Sequence, residues 1–175
     1  RPSHTSYPMD HDTAKAHFLS IYDQHADEIF RFCFLKVSHK EKAEDLTQEV
    51  FLRFWQTLRE GESVRHDRAF LYTLARNLVI DWYRKKKESS LDALQDEGID
   101  FEGQGRADVE LAAHMNEALA LVNELDESSK EAVLLRYMEG WSPQEIARLN
   151  GETANAVSVR LNRAIKKLQE KTHAT

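Results

Sequence analysis

The chain has 175 residues, with 24 Lys and Arg against 30 Asp and Glu, for a formal charge of −6 at neutral pH. That length holds one ordinary domain or two small helical ones. The acidic balance argues against a general nucleic-acid binder, which is usually basic overall, but leaves local basic patches open.

A single cysteine, Cys33, excludes a disulfide framework within the chain and fits a reducing cytosol, so a cytoplasmic protein is expected. It lies in the apolar stretch FRFCFL and reads as a small core residue. No apolar run approaches the roughly 20 residues of a membrane span, and no charged-then-apolar leader opens the chain. No membrane insertion is therefore expected. The first eight residues, RPSHTSYP, precede Met9 and are set aside from the fold reading.

Only three prolines and six glycines occur, and long stretches carry helical period without sustained strand alternation. The expected fold is all-α. Two small helical domains, 9–87 and 111–172, are joined by an acidic flexible linker, 88–110, and the second carries a helix-turn-helix. The first helix is expected over 12–37 and the second over 40–59. Within the second, residues 43–58 (AEDLTQEVFLRFWQTL) place Leu46, Val50, Phe51, Phe54 and Leu58 on one face, which reads as core. Asp45, Gln48, Glu49, Leu52 and Trp55 share the opposite face, within about 120° of one another. Leu and Trp set among polar and acidic residues suit a protein interface, where aromatics anchor and charges orient. The competing reading is that Trp55 packs against another helix of its own domain.

A third helix is expected over 67–87 (DRAFLYTLARNLVIDWYRKKK), with Asp67 as cap and Leu71, Leu74, Ala75, Leu78 and Trp82 as the buried stripe. Thr73, Arg76, Asn77, Ile80, Asp81, Arg84 and Lys87 face away from it, flanked by Phe70, Tyr72 and Tyr83. Bases interleaved with aromatics suit single-stranded or distorted DNA: guanidinium groups hold phosphates while rings stack on bases. The plainer reading of RKKK is a basic helix end favoured by the helix dipole.

Composition changes at 88–110, which holds Glu88, Asp92, Asp96, Glu97, Asp100, Glu102, Asp108 and Glu110 against Arg106 alone, with Gly98, Gly103 and Gly105. Acid plus glycine without a dense apolar face is expected to be a flexible linker. Helical period resumes near Leu111, with four helices ending near Leu125, Glu139, Leu149 and Lys171.

The last two helices carry a specific pattern. Ser142 followed by Pro143 is a helix start, and Glu145 completes a capping box. Ile146, Ala147 and Leu149 point inward, Gly151 permits a tight reversal, and Thr153 is placed to cap the next helix. That helix buries Val157, Leu161, Ala164 and Leu168, so Asn155, Ser158, Val159, Asn162, Arg163 and Lys166 face outward. Residues 160–171 hold five bases and one acid. A basic, exposed second helix of such a turn is the kind that enters a major groove. The competing reading is a solvated hairpin with ordinary surface lysines.

In order, the strings EDLTQEVFLRFW, AFLYTLARNLVIDWYRKKK, LLRYMEGWSPQEIA and AVSVRLNRAIKKL resemble the extracytoplasmic-function (ECF) group of sigma-70 family bacterial sigma factors, over nearly all of residues 14–170. The resemblance implies a promoter-recognition subunit of RNA polymerase. Its partners would be core RNA polymerase (the β′ coiled coil and the β flap), promoter DNA and an anti-sigma factor.

By the family pattern Asp45, Gln48 and Glu49 dock on the β′ coiled coil, with Leu52 and Trp55 on the same face. Loop 60–68 and Arg76, Asn77, Asp81, Arg84 and Lys85 read and open the −10 element. Ser158, Val159, Asn162 and Arg163 meet the −35 element, and Asn155 and Lys166 share their face. The family usually has Thr before the valine and Lys or Arg after it; here Ala156 and Ser158 stand there.

Two other classes fit less well. A free-standing helix-turn-helix regulator leaves residues 14–87 without a job and shows no heptad dimer helix. An enzyme is not expected, because HExxH, CxxC, GxxxxGK[ST] and G-x-S-x-G are absent and the eight histidines are scattered. No cofactor or metal is expected.

Overall fold

Helical period carries through to the folded chain. The computed structural model describes residues 10–89 and 106–173, and among them there is no strand. The chain divides into two units between Gly98 and Ile99.

The first unit is three helices, α1 (His11–Val37), α2 (Lys40–Arg59) and α3 (Asp67–Ser89). α1 stops because Ser38 turns into the left-handed region at φ 55°, where its N–H donates to the Phe34 carbonyl at 2.8 Å. His39 then becomes extended, and its Nδ1 accepts the Lys42 N–H at 3.2 Å, capping α2. Gly61, at φ 73°, turns the chain out of α2.

The expected stripe of α2 is buried in full: Leu46, Val50, Phe51, Phe54 and Leu58. Phe54 is wholly enclosed, with the rings of His17, Phe18 and Phe70 each centred 6.2 Å away. α3 buries Leu71, Tyr72, Ala75, Leu78 and Val79.

This corrects the expected stripe. Tyr72 is no flanking ring; it is 1% exposed and packs edge-on against Phe32 at 5.2 Å. Leu74 and Trp82, expected inside, are half-buried. The reason is that α3 packs on both α1 and α2, so its buried arc is wider than a single stripe and includes Tyr72 and Val79. Asp67 does not cap α3 either. It is the first helical residue, and its Oδ2 lies 3.1 Å from His17 Nε2 on α1.

The second unit holds α4 (Arg106–Asn123), α5 (Glu127–Tyr137), α6 (Pro143–Asn150) and α7 (Ala154–His173). The acidic stretch 88–110 is helical at both ends, closing α3 at 88–89 and opening α4 at 106–110. Acids are favourable in the first turns of a helix, where the dipole is positive, so Asp108 and Glu110 do not oppose α4. The rest of the expected linker, 90–105, lies outside the described residues.

Asp126 caps α5 by accepting the Ser129 N–H at 3.0 Å. Hydrogen bonds from Ser129, its hydroxyl first and its backbone N–H second, hold the Asp126 carboxyl below the usual aspartate value. Trp141, to which the sequence reading gave no role, is 2% exposed and the largest core residue of this unit. Its backbone N–H donates to the Leu135 carbonyl at 2.9 Å, and its own carbonyl accepts from Arg136 Nη1 at 3.1 Å. No described helix is long and apolar enough to cross a membrane.

Cys33 is fully buried, as expected of a core residue. Burial pushes its thiol from 9.0 up to about 12, against a smaller opposing hydrogen bond from Thr47. A raised thiol pKa means the unfolded chain loses this proton first. The contribution of Cys33 to stability is complete below the unfolded value of 9.0 and falls as pH rises toward about 12. Urea unfolding of the chain and of Cys33→Ala should therefore give a stability difference that shrinks above pH 9. A difference that stays flat over that range would show the thiolate is not desolvated.

Candidate nucleic-acid and polymerase interfaces

The expected site residues fall on three helix faces, on α7, α2 and α3. The first is on α7, and its placement begins at Ser142. The Ser142 hydroxyl accepts the Glu145 N–H at 3.2 Å, while the Glu145 carboxylate accepts the Ser142 N–H at 2.7 Å. This is the expected capping box, with Pro143 at the first helical position. Ile146 and Ala147 are buried, and Leu149 is half-buried. Gly151 reverses the chain at φ 66°, and its N–H donates to α6 carbonyls. The Thr153 hydroxyl accepts the Ala156 N–H at 3.1 Å and caps α7.

Val157, Leu161 and Ala164 fix the rotation of α7 by being buried; Leu168 is half-buried. Asn155, Val159, Asn162, Arg163 and Lys166 are exposed, and Ser158 is half-buried. The structure thus brings the expected set onto one face, with Ser158 at its edge.

The charge of this helix is smaller than its sequence implies. Arg160 makes a bidentate contact with Glu152, at 2.7 and 2.8 Å. The Glu152 hydrogen bond raises the Arg160 pKa, so this guanidinium is held as a charged, internally paired group. Lys171 pairs with Glu124 at the end of α4. Arg163, Lys166 and Lys167 are therefore the cations left to the face. Arg163 and Lys167 also line an open cleft of about 540 Å³ against the start of α5, together with Val159, Asp126 and Ser129. The 152–160 pair escaped the sequence reading because its partners sit eight residues apart across a helix start, where no periodic neighbour rule applies.

The second face is on α2. Asp45, Gln48 and Leu52 are exposed, and Leu52 at 50% is a large apolar side chain left in water. Glu49 is partly covered and accepts from Arg53 Nε at 2.8 Å. Trp55 is half-buried: its ring meets Phe18 at 5.4 Å and His11 at 5.9 Å. The competing expectation, that Trp55 packs within its own domain, describes much of this ring.

The third face is on α3. Asn77, Arg84 and Lys85 are exposed, and Arg76 and Asp81 are half-buried. Arg84 Nη2 reaches Asp81 at 3.1 Å. Ile80 and Tyr83 are 56% and 47% exposed on or beside this face. The Lys86 ammonium stands 5.0 Å from the Trp82 ring centroid. The phenol of Tyr83 donates to the Lys36 carbonyl and ties α3 to the end of α1. Among the described residues no cluster of three or more His, Cys, Asp or Glu is arranged to hold a metal.

The family described as "Sigma-70 region 2" matches residues 21–89, and "Sigma-70, region 4" matches residues 115–168. The chain is 35% identical over 157 residues to the ECF RNA polymerase sigma factor BldN of Streptomyces coelicolor, covering 86% of this chain and 58% of BldN. It is 31% identical to the RNA polymerase sigma factor SigV of Bacillus subtilis, covering 88% of this chain and 90% of SigV.

Two solved structures share the fold. One is the sigma factor RpoE of Bartonella quintana in complex with the anti-sigma factor NepR, with a TM-score of 0.67 at 23% identity, covering 89% of this chain and 94% of that one. The other is CnrH in complex with the cytosolic domain of CnrY, with a TM-score of 0.66 at 22% identity, covering 91% of this chain and 90% of that one. The chain belongs to the sigma-70 family, in its ECF group.

Proposed function

We propose that this chain is a promoter-specificity subunit that acts together with core RNA polymerase in the cytoplasm, and that it carries no catalytic centre. The observation that carries this reading is the pairing of region 2 and region 4 matches, in order, with a helix face left uncovered in each unit. A free-standing regulator has no use for the exposed face of α2.

In this reading residues 9–87 dock on core polymerase and engage the −10 element, and residues 111–172 engage the −35 element. Asp45, Gln48 and Leu52 form the docking face, with Glu49 and Trp55 shaping its rim. Asn77 is the α3 side chain suited to read a base edge, because an amide both donates and accepts. Arg76, Arg84 and Lys85 hold phosphates beside it, and Asp81 orients Arg84.

On α7, Asn155 and Asn162 face base edges, and Arg163 and Lys166 face phosphates. Arg163 supplies the charge that Ser158 lacks. Val159, 38% exposed, offers an apolar contact of the kind that meets a thymine methyl group. An anti-sigma factor is a further partner in this reading, supported by the fold neighbour RpoE, which is in complex with the anti-sigma factor NepR.

Asp45→Arg combined with Gln48→Ala alters only exposed side chains. The double variant should fold normally and lose affinity for purified core polymerase in a fluorescence titration. Unchanged affinity would remove this face from the docking surface. Arg163→Ala should weaken binding to all −35 variants alike and lower the slope of log affinity against log salt by about one. If it instead shifts sequence preference and leaves the slope intact, Arg163 reads a base.

A further inference from the structure

One cluster of charge in the first unit serves none of these faces. Glu28 on α1 is the one buried charged residue among the described residues, at 6% exposure. Arg68 grips its carboxylate with both arms: Nε lies 3.0 Å from Oε1 and Nη2 lies 2.7 Å from Oε2. His25 Nδ1 sits 2.5 Å from the same Oε1. The residue before Arg68, Asp67, meets His17 on α1 at 3.1 Å, and its other oxygen is buried without a hydrogen bond. Two adjacent residues that open α3 are thus held at two points on α1, about 16 Å apart along its axis.

Stability alone does not account for such a device. Replacing a buried ion pair with apolar residues of similar volume is often neutral or stabilising. What a bidentate guanidinium–carboxylate pair supplies is a fixed distance and a fixed angle. Here it fixes the start of α3, and hence where the connection 60–66 must end after leaving α2 at Gly61. It also fixes the rotation of α3 about its own axis. Sliding α3 by one residue turns its face by about 100° and carries Asn77 and Arg84 away from solvent.

We propose that Glu28 and Arg68 are a positioning pair for promoter opening. They hold the connection 60–66 and the exposed face of α3 in one geometry, so that strand separation depends on them while polymerase docking and duplex binding do not. The proposal rests on the −10 role assigned above to this face.

The test uses the full chain assembled with core polymerase, with Glu28→Gln and Arg68→Lys as variants. Both should bind core within about twofold of the unaltered chain, and Glu28→Gln, which lies on α1 outside loop 60–68, should also bind duplex promoter in the closed complex within about twofold. Permanganate reactivity in the −10 region should fall about tenfold or more for Glu28→Gln, and less for Arg68→Lys, which keeps the charge but loses the fork. A template already mismatched over the −10 region should restore transcription for both variants, which a generally weakened fold would not achieve. Opening at the unaltered level in folded variants overturns the proposal, as does an equal loss on duplex and mismatched templates. If Glu28→Gln fails to fold, Arg68→Lys decides alone. If the unaltered chain neither binds core nor opens a promoter, the −10 reading itself falls.

Discussion

Phe54 is the contact on which the first unit depends. Its ring is fully enclosed where α1, α2 and α3 meet, within reach of His17, Phe18 and Phe70. A side chain of that size, once buried, contributes on the order of 1.5–3 kcal/mol and sets the rotation of its helix. With Phe54 and Val50 inward, Asp45, Gln48 and Leu52 have no inward option on α2. Their exposure is a geometric result of the core. Val157 and Leu161, both buried, have the same effect on α7.

Part of the positive charge is paired within each unit. Arg53, Arg84, Arg160 and Lys171 each have a carboxylate partner within their own unit. Pairing leaves Arg163, Lys166 and Lys167 as the cations of the α7 face, in a chain whose overall formal charge is −6. Phosphate attraction is the sequence-independent part of DNA binding and the part most sensitive to salt. In the proposed role, a subunit that reaches promoters together with a large polymerase gains from keeping that term small, because non-specific sites then compete less.

Much of this was legible in the sequence, for identifiable reasons. The three helices of the first unit and the capping box at Ser142 follow from period and local hydrogen bonding, which act over three or four residues. The outward set on α7 follows from Val157, Leu161 and Ala164 being buried. Legibility fails where a residue's fate depends on a distant element. Tyr72 looked like a flanking ring until Phe32 was placed against it. Trp55 stood open between an interface and packing within its own domain until α1 brought Phe18 and His11 to its edge. Asp67 looked like a cap, but His17 takes its carboxylate. The Glu28–Arg68 pair spans 40 residues and leaves no periodic trace. The acidic stretch 88–110 misled in another way: composition marked it as linker, yet both its ends belong to helices.

The most direct measurement of the central claim is run-off transcription from fragmented genomic DNA by purified core polymerase, with and without this chain. The account predicts discrete start sites that appear only when chain and core are both present, with a shared upstream sequence at each. Start sites identical to those of core alone, or tight sequence-specific binding by the chain without core, would contradict it.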